Sequence, residues 1–173
     1  MKKRLFATAA VALFVVGSAF AQFEVKVNPI GLLFGGLSVS GEYILNDNMG
    51  VEASLRFASN TFADVKTNGF GAGAAYKYYF SPENGADKFY VYGYLNYAGG
   101  KGTSSTDVTL TYSKIAAGFG AGYKWVADSG LLFDIGFGIG RNLNSNWDWS
   151  DGGSTSINFP IDIDGKLAIG WRF

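Results

Sequence analysis

The chain has no cysteine and no histidine, and only 3 of its 173 residues are proline. Without cysteine there are no disulfides and no thiolate metal ligands. Without histidine, the commonest general base and the commonest transition-metal ligand are both missing. Scarce proline argues against a disordered Pro/Gly-rich tail, although 25 residues are glycine. No basic face or polybasic tail points to nucleic acid. After the N-terminal segment there is no long apolar run. Abundant Gly, Tyr, Phe and Asn then suit a β-barrel better than a helical membrane protein.

The N-terminal segment has the three parts of a secretory signal. Lys2, Lys3 and Arg4 are its positive region, residues 5–16 are apolar and uncharged, and Ala19-Phe20-Ala21 is a small-x-small cleavage site. The apolar stretch is short for a membrane span, which needs roughly 20 residues. The expected organisation is a signal peptide over 1–21 and one domain over 22–173. Without Lys2, Lys3 and Arg4 the basic count falls from 14 to 11 against 14 acidic residues, so the mature chain is mildly acidic.

Period-two alternation dominates the remainder. Over 159–173, Phe159, Ile161, Ile163, Gly165, Leu167, Ile169, Trp171 and Phe173 alternate with Pro160, Asp162, Asp164, Lys166, Ala168, Gly170 and Arg172. Every large apolar group falls on one face and every charge on the other, as in a two-faced strand. The same alternation runs through 51–57, 70–80, 114–125 and 131–140. Softer strands are expected over 37–45, which carries Ser38, Ser40 and Glu42 on one face, over 89–97, and over 22–34. In the last, the alternation slips at Asn28-Pro29, where proline suits a bulge or an edge position. Short turns are expected at 46–48, 81–88 and 128–130. On the opposite side, a tight connection at 35–36 and long polar loops over 59–68, 99–110 and 141–157 are expected. Eight antiparallel strands with short turns on one side and long loops on the other predict an all-β, up-and-down transmembrane barrel with both termini on the periplasmic side. Gly-Phe-Gly-Ala-Gly, at 69–73 and again at 118–122, could suggest a phosphate loop. No helical pattern follows either copy, so it reads as glycine repeated on one strand face.

Alternation alone does not say which face is outside. The polar face is mostly Gly, Ala and Ser, a poor solvent surface but well suited to a narrow lumen that side chains must fill. The apolar face carries Phe80, Phe89, Trp125, Trp171 and Phe173 near strand ends, where an interfacial girdle belongs. The opposite choice would put many charges in lipid, at roughly 2–4 kcal/mol for each basic residue near mid-membrane. The inward set is then Glu42, Glu52, Asp134, Asp162 and Asp164 against Arg56, Lys77, Lys114, Lys124, Lys166 and Arg172. Buried charges need partners, which predicts a luminal ion-pair network instead of an open channel. Tyr90, Tyr92 and Tyr94 are expected to point inward and fill space left by glycine.

The chain's end, with Leu167, Ile169, Trp171 and terminal Phe173, resembles the C-terminal signal read by outer-membrane assembly machinery. Ala168 stands where glycine is usual. Asn28-Pro29-Ile30-Gly31-Leu32-Leu33-Phe34-Gly35-Gly36, followed by Gly41-Glu42-Tyr43-Ile44-Leu45, resembles the start of small outer-membrane barrel families of the DUF3575 and OmpX/OmpA-barrel type. The resemblance covers about the first third of the chain. It implies an eight-stranded barrel and transfers no catalytic residue.

The expected location is the bacterial outer membrane. The expected role is non-enzymatic, structural or exerted through extracellular loops in envelope integrity, adhesion or surface interaction. Expected partners are outer-membrane lipids, lipopolysaccharide and the assembly machinery, with an unidentified surface partner possible. A monomer without cofactor or metal is expected. The best loop contact region is 142–158, with Trp147 and Trp149, set against local packing or an upper girdle. Alternatives are a narrow passive pore, a soluble periplasmic ligand-binding barrel, and an enzyme built on Asp162 and Asp164 alone.

Overall fold

A computed structural model describes residues 23–33, 35–62, 65–103, 109–149 and 160–173, with the side chains of 61–62, 65–66 and 147–149 excepted. The expected signal peptide over 1–21 and much of the three long connections lie outside the described residues. Eight strands run in chain order: β1 (Phe23–Val27), β2 (Gly36–Asn46), β3 (Met49–Phe62), β4 (Val65–Tyr79), β5 (Lys88–Thr103), β6 (Thr109–Val126), β7 (Leu131–Trp149) and β8 (Ile161–Arg172). Each pairs antiparallel with its sequence neighbour, and β8 pairs with β1, so the sheet closes on itself. Closure leaves each strand two neighbours and a side-chain alternation between inside and outside.

Two expectations about length need correction. The first concerns 22–34, read as one strand with a slip. The structure ends β1 at Val27 and follows it with a helical turn, α1 (Pro29–Leu33). Asn28 caps that turn: its Oδ1 accepts from the amides of Ile30 at 3.0 Å and Gly31 at 3.1 Å. Pro29 takes the first helical position, where its missing N–H costs nothing. The second concerns the long loops. The ladder of β3 and β4 continues through Ser59↔Asn68 to Phe62↔Val65, and β5 and β6 remain paired to Thr103↔Thr109. β7 continues to Trp149, opposite Leu110. Ser, Thr, Asn and Gly are frequent in these stretches and weaken the apolar alternation, yet the backbone ladder does not depend on it.

Where short turns are expected, connections of two, eight and four residues join β2 to β3, β4 to β5 and β6 to β7. Gly130, between β6 and β7, has φ +91° and lies against the last strand, with Arg172 N donating to its carbonyl at 2.9 Å. A side chain there would be strained and would also meet the Arg172 carbonyl. The connection between β4 and β5 folds inward. Ala86 is fully buried, and its amide donates to the Asp47 carbonyl at 2.7 Å.

The outer face is apolar around the whole ring. Val39, Leu55, Phe70, Leu95, Phe119, Phe137 and Ile163, from seven different strands, are all exposed. The buried set is instead rich in charge: Glu24, Lys26, Glu42, Glu52, Lys77, Lys124, Asp134, Asp162 and Asp164. This inverts the ordinary soluble distribution, in which such groups are almost never fully buried.

Candidate functional site

The lumen holds two clusters at different heights. The lower one, nearest the short turns, begins with a conflict. Register places Glu24 opposite Glu42 and Glu42 opposite Glu52, three like charges in a row across β1, β2 and β3. Directly opposed like charges are destabilising in a sheet. Lysines from other strands resolve it. Lys77 on β4 reaches Glu42 at 2.7 Å, Glu52 at 2.8 Å and Asp134 at 2.9 Å. Lys26 on β1 contacts Glu42 closely and Asp134 at 3.0 Å. Lys124 on β6 lies 2.9 Å from both oxygens of Glu24 and 3.2 Å from Glu42. Lys166 pairs with Glu52, and Arg172 with Glu24 at 2.6 Å.

Aromatic groups complete this floor. The Tyr79 hydroxyl donates to Glu42, and the Tyr90 hydroxyl donates to Asp134. The ammonium groups of Lys77 and Lys124 sit 4.7 Å and 4.5 Å from the ring centres of Tyr90 and Tyr79. Below them, Arg172 donates to the carbonyls of Asn84, Gly85 and Ala86, tying the inward-folded β4–β5 turn under the barrel. Glu42, Glu52 and Asp134 bring oxygens within 4.8 Å of one another, a spacing that suits a metal ion. The ammonium groups of Lys26 and Lys77 already occupy that focus, so the chain supplies its own cations.

The tyrosines of β5 form a ladder above the floor. The Tyr92 hydroxyl donates to Asp164 at 3.0 Å, and the Tyr94 hydroxyl to Asp162 at 3.0 Å. To reach β8, these rings lie across β6 and β7. There, Gly118, Gly120, Gly122, Gly136, Gly138 and Gly140 form a smooth bed. A Cβ at Gly120 would come within 2.6 Å of the Tyr92 ring, and one at Gly122 within 2.4 Å of Tyr90. The repeated Gly-x-Gly pattern is therefore the imprint of the tyrosines.

The upper cluster is wetter. Arg56 bonds Asp164 at 3.0 Å and Lys114 bonds Asp162 at 2.6 Å. The aspartate side chains are 4% exposed, whereas Arg56 is 46% and Lys114 36% exposed. Asn96 also donates to Asp164 at 3.1 Å. Above the floor, Ser38, Ser54, Arg56, Asn96, Tyr112 and Lys114 line a cavity of about 360 Å³.

Of the residues singled out in the sequence, Glu42, Glu52, Lys77, Lys124, Asp134, Lys166 and Arg172 meet in the floor, and Arg56, Asp162 and Asp164 meet in the upper cluster. Glu24 and Lys26 were missed, though they alternate with Phe23, Val25 and Val27 as the other inward charges do. Tyr79 and the carbonyls of the β4–β5 turn were missed as well. Leu167, Ile169 and Trp171 lie on the outer face of β8, and the Phe173 amide closes onto the Phe23 carbonyl at 2.9 Å. Trp147 and Trp149, expected in a loop, stand on strand backbone opposite Tyr112 and Leu110. Their side chains and residues 150–159 lie outside the described residues. No protein-family model, curated protein or solved structure matches this chain.

Proposed function

We propose that this chain is an integral β-barrel of a bacterial outer membrane, exported by its N-terminal signal, and that it serves the envelope as a closed, non-enzymatic barrel. The observation that carries the reading is the inversion between faces: apolar side chains are exposed around the whole ring, and ion pairs fill the inside. In water the outer face would be an apolar patch far larger than soluble monomers tolerate. In a bilayer it meets acyl chains, and a closed ring leaves no sheet edge over its paired length. Lipids and lipopolysaccharide are then its constant neighbours. The apolar row Leu167, Ile169, Trp171 and Phe173 suits recognition by the outer-membrane assembly machinery.

Closure follows from the floor. Lys26, Lys77, Lys124, Glu24, Glu42 and Asp134 are buried and mutually bonded, and the β4–β5 turn lies beneath them. A non-enzymatic role fits because the luminal carboxylates are committed to lysine, arginine and tyrosine partners, and no histidine can serve as base. The expressed chain should fractionate with the outer membrane, migrate faster unheated than heated in detergent gels, and pass no steady nanosiemens current in planar bilayers. Recovery in the soluble periplasm would overturn the membrane reading. Nanosiemens conductance would overturn closure.

A further inference from the structure

The barrel wall is not equally sealed at every height. β8 pairs with β7 from Trp171 to Ile161, but with β1 only from Arg172 to Ile169. β1 stops at Val27, and α1 turns away from the ladder at Pro29. Among the described residues, therefore, no strand pairs with the β1-side edge of residues 161–168. α1 contacts both β2 and β8 without adding a strand to the ladder. An open sheet edge is costly against lipid and is tolerated where it lines a cavity.

A cavity does reach it. The luminal cavity above the floor extends to Asn28, Gly165, Lys166 and Leu167. A separate groove on the outer face passes Phe89, Ala121, Ile135 and Phe137 and ends at the same four residues. The inner space and the outer groove thus share one thin wall at the seam between α1 and β8. Gly165 stands there on the outer face, with no heavy atom within 4 Å of where its Cβ would be. The seam's outer rim is apolar: Ile30, Leu32, Leu33, Ile161 and Ile163 are exposed. In the cavity behind the seam, the accessible charge is positive. Arg56 and Lys114 are 46% and 36% exposed, while the aspartates they bond are 4% exposed.

We propose that the seam is a lateral port for an anionic single-chain amphiphile, a long-chain carboxylate drawn from the surrounding membrane. The chain lies in the outer groove and seam, and the carboxylate sits in the cavity on Arg56 and Lys114. The floor below stops further passage. The proposal rests on the membrane reading above.

The test uses the full chain in phospholipid vesicles, with insertion scored first by heat-modifiable migration. The probe is ¹³C-carboxyl-labelled oleate, with oleyl alcohol as the neutral control of equal length. Saturable oleate binding is expected, about ten-fold tighter than for the alcohol, since charge-assisted bonds to the head are worth that much. Arg56→Gln together with Lys114→Gln should remove that preference. Gly165→Phe should slow oleate uptake from vesicles by about ten-fold by filling the outer groove where it reaches the seam. Equal binding of oleate and the alcohol, or an unchanged preference in the Arg56/Lys114 double variant, would overturn the head site. Unchanged uptake in Gly165→Phe would overturn the lateral route. An inserted chain that binds no oleate overturns this proposal alone, whereas a chain that does not insert overturns the membrane reading and the port with it.

Discussion

The two halves of the lumen use the same residue types to opposite ends. In the lower half, ammonium groups and carboxylates are fully buried and each contacts several partners. In the upper half, Arg56 and Lys114 each hold one aspartate and keep much of their own surface exposed. Buried ion pairs gain strength from low dielectric but depend on every partner being present. Half-exposed pairs are screened and nearly dispensable. One half is therefore built as a rigid plug and the other as an adaptable vestibule. The difference comes from cross-section as well as charge. Tyr79 and Tyr90 occupy the lower space, and the upper inner wall has Ser38, Ser54 and Ala58 in its place.

The sharpest way to break the comparison is Lys77→Met. It removes one of the two buried cations that bond Glu42, Glu52 and Asp134 together, Lys26 being the other, and should cost about 3–5 kcal/mol of stability. Urea unfolding in vesicles, followed by tryptophan fluorescence from Trp125 and Trp171, measures it. A loss below about 1 kcal/mol would mean that water reaches the floor and that it is no plug.

Gly120→Val tests the glycine bed. Its Cβ would meet the Tyr92 ring at 2.6 Å and the Phe137 carbonyl at 2.5 Å. A loss of about 1–3 kcal/mol is expected, read by the same unfolding transition, with Gly102→Val as a control because its Cβ position is open. Equal effects at the two positions would remove the imprint argument.

A smaller effect separates ring from backbone. At Gly138, an added Cβ would lie 2.8 Å from the Tyr92 hydroxyl. In a cycle of Gly138→Ala and Tyr92→Phe, the double variant should be more stable than the summed single losses by about 0.5–1 kcal/mol. Simple additivity would show that the hydroxyl is not the obstacle. The smallest change belongs to the vestibule: Arg56→Met should alter stability by no more than about 1 kcal/mol, and a loss matching that of Lys77→Met would erase the distinction between the halves.

Much of this could be read from the chain. Alternation assigned Glu42, Glu52, Asp134, Asp162 and Asp164 to one face, and the structure buries all five. The charged face of β1 was passed over because only five residues carry it before Asn28 and Pro29 end the strand. The Ser-, Thr- and Asn-rich extensions of β3, β5 and β7 read as loops in the sequence, since alternation reports the two side-chain environments of a strand and not its backbone ladder. The inward fold of the β4–β5 turn depends on Arg172, 86 positions beyond Ala86, and no local pattern carries that distance.

By itself, then, the sequence determined what repeats locally: eight two-faced stretches, a small polar side, an apolar side, and glycines where bulk must be absent. A strand's side-chain period is two, so face assignment needs only near neighbours. The tertiary structure alone decided which charges meet. Lys124 finds Glu24 across 100 positions, and Arg172 finds it across 148, because register and closure set the height of each side chain in the lumen. It also decided that, among the described residues, β1 pairs with β8 only from Arg172 to Ile169, since that depends on where β1 stops relative to β8 once the ring has closed.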